Sequence, residues 1–554
     1  MLKLATLLEN PGEPEVQTRY RDPAELKALG YNGLVVYEST ALSGVRSVDA
    51  IPTDEVRRWV SARVDHIAQA IERATTAGLT VYLFYDALVL PEHEVNNNVG
   101  GLCCKGRPQM VCPASEQAIE LSVSALDALL ARWPEIDGIV LRFGDNDAQR
   151  LPHVVGNDIY TPHCPRCSQV GRAERSLSLI RRVHDLVVNR HGKRLIVRAW
   201  NVRPNGMHDV PELAARIAAD LPGDPADDRL VLSFKFTQTD FWRYQRWNPS
   251  SLACGDRPIL YELQCQREFE GKGGIPNWQA PLWRNGCPEM AGLPDEVHGL
   301  SEAVDRVRFA GVWAWVRGGG WGGPFVKNEH WIDANVYAAP LLADDPHADT
   351  HHLAEQWTRD RLGLDDDAAA AIVALLEDSV EFVRQAFYLG PYAMSRSNPW
   401  HPNADWIQDD LVDAQAAWRI IQKLNDTQLD ELVQEKQAAA QVISQHRVTI
   451  QRMVGDRRHD DLQPLVNTLL YGESLFESLR DLILGLVAFR RYQKTGEPVL
   501  ADTVRQKLFS AQDHWNHHTQ RFGSLPGAAT AFREENFWDL TQDLVAKVDQ
   551  STAS

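Results

Sequence analysis

The sequence predicts the α/β class: a (β/α)8 TIM barrel followed by an all-helical C-terminal domain. Three observations carry that expectation. Eight short runs rich in β-branched and aromatic residues recur up to about residue 318. Amphipathic stretches lie between most of them, as crossovers of a parallel sheet require. Beyond about residue 330 the apolar spacing is helical throughout, with no strand-like run.

Taken in order, the runs are KLATLLE (3–9), GLVVYES (33–39), TVYLFYD (80–86) and GIVLRFGD (138–145). LIVRAWNV (195–202), LVLSFKF (230–236), ILYELQC (259–265) and GVWAWVRG (311–318) follow. Several are almost continuously apolar, which is how strands buried on both faces read. The first is the weakest, because LKLATLLEN also fits a helical turn. Segment 53–78 opens with a Thr at the N-cap position and closes on a Gly, and segments 115–133 and 176–192 read as helices in the same way. Segments 365–387, 426–454, 462–492 and 500–522 make up the helical domain. The expected domains are therefore a barrel over 1–330 and a helical domain over 331–554. The apolar stripes of the latter are read as its own core, with a homodimer contact as their alternative use.

A chain of 554 residues exceeds what one compact core usually holds. Its 44% hydrophobic and 24% charged content are those of an ordinary globular protein. A net charge of -18 argues against a nucleic-acid partner, which would call for a basic face. No apolar run approaches about 18 residues, so no membrane span is expected. The start, MLKLATLLENPGEPE, turns acidic early and lacks a signal peptide's apolar stretch, which predicts a cytoplasmic location. Eight scattered cysteines suit free thiols better than a disulfide framework. HCPRC places Cys164 and Cys167 as one CxxC, which needs two more ligands to hold zinc. Cys103, Cys104 or Cys112 could supply them, but a tight turn bearing two thiols is the simpler reading.

In this fold the chemistry sits where the strands end. Polar residues gather there: Glu38, Asp86, Asp145, Arg198, Lys235, Asp240 and Glu268. The stretch ELQCQREFEG (262–271) continues strand seven toward Glu268, with Glu262, Glu268 and Glu270 crowding Arg267. Asp240 and Glu268 follow neighbouring strands, and Asp145 leaves strand four across the bowl. Two carboxylates facing a third suit displacement of a leaving group by water, one side activating the water and the other protonating the departing oxygen. Arg142, Arg198 and Lys235 near the same ends make the bowl locally cationic, suited to an anionic substrate. Any one of these residues read alone is a rim ion pair; their co-occurrence at the same strand ends points to a reaction site.

These residues resemble the α-glucuronidases of glycoside hydrolase family sixty-seven. The family motif E-[LF]-Q-x-x-Q-E-Y-x-G-[QK] is similar to ELQCQREFEGK, with Arg267 and Phe269 replacing its Gln and Tyr. The family's K-N-G-P-I-D-F is similar to KFTQTDF, which keeps Lys235, Asp240 and Phe241 in place. Asp240 and Glu268 are 28 residues apart (268 − 240), the separation of the family's two water-activating carboxylates. VRAWNV is similar to the family's W-R-A-F, and NEHWIDANVYAAPLLADDP to its entry into the helical domain. The resemblance covers about residues 28 to 362.

The resemblance implies an inverting, exo-acting glycoside hydrolase that releases a uronic acid from oligosaccharides without a metal or other cofactor. Asp145 would be the general acid, with Asp147 as the alternative, because the family's acidic Glu aligns with Asn146 between them. Asp240 and Glu268 would activate the water. Arg142, Arg198 and Lys235 would hold the uronate, and Trp321 of the Trp-rich 313–323 would stack on a sugar. The family's N-terminal β-rich domain has no counterpart here. The Asp-for-Glu change admits a related hydrolase acting on galacturonate or a neutral hexose, or a carbohydrate-binding barrel whose acid has decayed.

Overall fold

In the computed structural model the described residues are 1–554 except 145–150, 294–296, 319–326, 328, 396–399, 404, 409–410, 456–461, 526–531 and 554. Eight parallel strands close a barrel: β1 (Leu2–Leu7), β2 (Gly33–Val36), β3 (Thr80–Asp86), β4 (Gly138–Arg142), β5 (Arg194–Arg198), β6 (Leu230–Lys235), β7 (Pro258–Gln264) and β8 (Arg308–Arg317). Their order round the barrel is the order of the chain, and β8 pairs with β1 to close it.

The first run is a strand because both its edges are claimed. Leu4 pairs with Gly33 of β2, and Leu2 with Gly311 of β8. Gly311 sits at φ +140°, where a Cβ would lie 1.9 Å from the Leu2 carbonyl oxygen, so this seam needs a glycine. β7 stops at Gln264, short of the extension toward Glu268 read from the sequence: the Cys265 amide still donates to the Trp315 carbonyl (3.0 Å), but the Glu268 amide turns back to the Gln264 side chain.

The crossovers include α1 (Pro23–Ala28), α2 (Asp54–Thr76), α3 (Glu116–Arg132), α4 (Arg172–His184), α5 (Pro211–Asp220), α6 (Pro249–Leu252), α7 (Gly299–Ala303) and α8 (His330–Asp344). Ser115 caps α3, its hydroxyl accepting from the Ala118 amide. Thr53 holds the N-cap position of α2, but its side chain makes no capping bond. The last crossover, α8, packs on the barrel: the Tyr31 hydroxyl donates to the Val336 carbonyl (2.8 Å), and Asn335 Nδ2 to the Cys265 carbonyl (3.1 Å).

The chain then runs through α9 (Thr350–Asp360), α10 (Asp366–Phe387), α11 (Ala414–Ile421), α12 (Asp426–Gly455), α13 (Gln463–Thr495), α14 (Pro498–Phe522) and α15 (Phe537–Ala553). A small sheet, with Leu411–Asp413 between Ile407–Gln408 and Arg533–Glu535, is the one β element among the described residues of this part. One buried core runs continuously through barrel and helices. The two parts also share polar contacts: Ser379 Oγ accepts from the Trp278 amide (2.9 Å), and the Tyr388 hydroxyl donates to Glu270 (2.8 Å). No described helix is long and apolar enough to cross a membrane.

Candidate active site

The C-terminal ends of the strands carry two buried ion pairs. Asp86 and Arg142 are register partners on β3 and β4, and their side chains meet in two bonds of 2.6 Å. Arg142 Nη1 also donates to the Tyr37 hydroxyl (3.0 Å). Further round, Arg198 of β5 faces Glu262 of β7, with Nε and Nη2 each 2.9 Å from a carboxylate oxygen. Ser233 of the intervening β6 donates to the same carboxylate (2.9 Å). The Arg198 guanidinium lies 4.8 Å above the Trp315 ring. These pairs are wholly enclosed, so each charge is stabilised by its partner and by ring faces rather than by water.

Above this floor, Lys235 ends β6 and pairs with Asp240. Its ammonium lies 3.7 Å from the Trp200 ring centre and 4.4 Å from that of Phe241. Asp240 keeps 21% of its side chain exposed, against 6% for Lys235, so the carboxylate is the half that faces solvent.

The three glutamates near Arg267 have three different destinations. Glu262 belongs to Arg198. Glu270 pairs with Arg267 in the interior and accepts from Asn277 (2.6 Å) and Tyr388 (2.8 Å). Burial pushes the Glu270 carboxyl up, but the Arg267 charge and those hydrogen bonds outweigh it and leave it below its ordinary range. Glu268 stays partly open. The Gln264 amide brackets it, donating to the carboxylate (3.3 Å) and accepting from the Glu268 backbone N–H (3.0 Å).

The segments bearing Asp240 and Glu268 are tied together. Arg267 donates to the Phe241 carbonyl, and Trp242 stacks on Phe269 with ring centres 3.7 Å apart and planes within 6°. The helical part adds Trp400, which lies parallel to Trp200 at 6.2 Å. Beside these rings lies His208, and Asn201 follows Trp200; both are buried, and their side-chain polar atoms have no hydrogen-bond partner among the described residues. His208 Nε2 is 3.7 Å from Asp209, beyond hydrogen-bonding range. Burial, with Lys235 and Arg198 nearby, pushes its imidazole well below the ordinary value, so it is neutral at physiological pH. A neutral imidazole and a free amide among cations and ring faces offer both donors and acceptors, which suits a polyhydroxylated ligand.

Of the residues singled out in the sequence, Arg142, Arg198, Lys235, Asp240 and Glu268 all stand at or just past the C-terminal ends of β4 to β7. Asp145, Asp147 and Trp321 lie outside the described residues. Trp313 and Trp315 are core residues beneath the cations. Sequence reasoning passed over Trp200, Asn201, His208, Glu262 as the Arg198 partner, the Trp242–Phe269 stack and Trp400. The first two lie within the run LIVRAWNV (195–202), two and three residues past Arg198, but were not singled out there. Trp400 carries no such signal, because only the folded helical part brings it to the barrel.

No protein-family profile matches the sequence, and no curated protein matches it. Among solved structures, the whole chain aligns with 83% of a GH138 enzyme targeting pectin rhamnogalacturonan II, at 10% identity and a TM-score of 0.56. It also aligns over its full length with 94% of an O-GlcNAc hydrolase from Thermobaculum terrenum, at 11% identity and a TM-score of 0.45. At 10% identity, what the chain shares with the GH138 enzyme is the fold alone.

Proposed function

We propose that the protein is a glycoside hydrolase of the α-glucuronidase type, acting by inversion at the end of a uronate-bearing oligosaccharide. The observation that carries this reading is the arrangement round Lys235: its ammonium lies on the Trp200 ring and pairs with Asp240, next to the segment that bears Glu268. Asp240 and Glu268 are partly open carboxylates of that rim, and they take the roles of activating and holding the water. The acid that protonates the leaving oxygen is assigned to Asp145, or Asp147 beside it, on the loop after β4. Arg198 Nη1, which has no hydrogen bond among the described residues, and Lys235 supply donors for the uronate. Arg142 supports that floor through Asp86, while Trp200, Trp400 and Trp321 are assigned to the sugar faces. The barrel it shares with a pectin-targeting enzyme supports a carbohydrate substrate.

A second reading, a hydrolase for galacturonate or a neutral hexose, is favoured by one contact. Asp240 already neutralises Lys235, which weakens that ammonium as an anchor for a substrate anion. A panel of uronate-capped oligosaccharides and neutral nitrophenyl glycosides separates the two. Release of free uronate, with the product's anomeric configuration inverted by NMR, is the expected result. Turnover of neutral glycosides alone overturns the uronate assignment.

A further inference from the structure

Beyond the Asp86–Arg142 pair, the long loops after β3 (87–115) and β4 (143–171) are laced together. Leu90–Pro91 pairs antiparallel with Val154–Val155, and the Val111 amide donates to the Gly156 carbonyl (2.9 Å). Asn157 Nδ2 donates to the carbonyls of Ala87 and Leu88, each at 3.0 Å. At one end of this seam four cysteines converge. Cys104 and Cys112 come from the first loop, Cys164 and Cys167 from the second, and their sulfurs all lie within 4.8 Å of one another.

The sulfur spacing discriminates between the uses of such a cluster. Cys112 and Cys164 are 3.7 Å apart, and Cys164 and Cys167 3.6 Å. A disulfide would bring two sulfurs to about 2.05 Å. Four thiolates about 2.3 Å from a tetrahedral zinc stand about 3.8 Å from each other, close to the spacing seen. The backbone is also arranged for sulfur that carries charge: the amides of His163 (3.0 Å) and Cys164 (3.2 Å) both donate to Cys167 Sγ. Arg175 fixes the turn by donating to the carbonyls of Ile159 (2.7 Å), Tyr160 (2.7 Å) and Cys167 (2.9 Å). Cys103, though adjacent to Cys104, is turned away and donates to the Pro108 carbonyl (3.2 Å).

We propose that Cys104, Cys112, Cys164 and Cys167 bind one zinc ion as four thiolates, in a structural site that staples the β3 and β4 loops. Each thiol gives its proton to solvent as the ion binds, and no electron transfer is involved. Four protein ligands leave no open position for substrate or water, so the metal takes no part in the hydrolysis. The all-sulfur tetrahedron selects zinc or iron over magnesium and calcium. Its role is to hold together two loops that are otherwise joined by a few backbone bonds, one of which carries Asp145 in its sequence.

Mass-spectrometric metal analysis of the full chain, purified without chelator, tests this directly. One zinc per chain is expected, lost in Cys164→Ser and Cys112→Ser and retained in Cys254→Ser, a buried thiol elsewhere in the barrel. Chain stripped of metal and refolded with cobalt(II) should show the strong near-ultraviolet thiolate charge-transfer and visible bands of a tetrahedral sulfur site. If the serine variants do not fold, alkylation of the wild-type chain decides: zinc should protect these four cysteines and leave the labelling of Cys103 unchanged. Absence of stoichiometric metal together with a featureless cobalt spectrum overturns the proposal. So does a native Cys164–Cys167 disulfide, bound iron in place of zinc, or equal labelling with and without zinc.

Discussion

Glu262 reaches across β6 to grip Arg198, and neither side chain is more than 2% exposed. The pair forms the electrostatic floor of the barrel mouth, and it is laid down by residues from three consecutive strands. Removing one charge of such a pair leaves the other buried and unmatched. Glu262→Gln should therefore cost about 3–5 kcal/mol of stability, read from urea unfolding followed by tryptophan fluorescence. The double variant Arg198→Met with Glu262→Met should recover much of that loss. A single variant as stable as wild type would show that water reaches the pair.

Asp240→Asn and Glu268→Gln keep the shape of their side chains; Glu268→Gln should change the unfolding free energy by no more than about 1 kcal/mol, whereas Asp240→Asn leaves the buried Lys235 ammonium unmatched and should cost more. If these carboxylates prepare the water, each variant should lose about 100-fold or more in kcat. Full turnover by either would remove that residue from the mechanism.

The parallel rings of Trp200 and Trp400 make a further prediction about substrate length. Trp400→Ala should raise KM for an oligosaccharide while leaving the rate on a small nitrophenyl glycoside nearly unchanged, with a loss of about 0.5–1.5 kcal/mol in binding. Equal effects on both substrates would place the ring outside the sugar path.

Stability should also depend on pH through His518, far from the barrel mouth. It is fully buried between Tyr471, Trp515 and Phe522, and neither ring nitrogen has a hydrogen-bond partner among the described residues. Burial pushes its imidazole down to about 3. The unfolded chain takes up this proton near pH 6.5 and the folded chain only near pH 3. The contribution is thus present above about pH 6.5 and is lost as pH falls, at up to about 1.4 kcal/mol per pH unit. His518→Phe should flatten the acid side of the profile of Tm against pH; an unchanged slope would mean that the ring protonates without opening the core.

The barrel was legible because strands buried on both faces must be apolar, and the crossover helices must show one apolar side. Even β1, ambiguous by itself, follows once β2 and β8 require a partner on each edge. Of the candidate site, placement was legible: Arg142, Arg198, Lys235, Asp240 and Glu268 stand at or just past the C-terminal ends of β4 to β7. What could not be read was partnership. Nothing in local sequence says that Glu262 belongs to Arg198, two strands away, while Glu270 belongs to Arg267, three residues away. The aromatic walls were hidden for the same reason, since stacking of Trp200 on Trp400 depends on how some 200 residues between them fold. The cysteines fall between these cases: CxxC was visible, but its second pair had three candidates that only the loop geometry separates.

Tyr388 crosses from the helices to satisfy Glu270 at the foot of the loop that bears Glu268. The helical half is thus a co-builder of the bowl's lip, not cargo trailing behind a finished barrel. Exchanging that half for another would remould one side of the barrel mouth while leaving every barrel strand untouched, so what the mouth accepts can drift through changes that an inspection of the barrel alone would never notice.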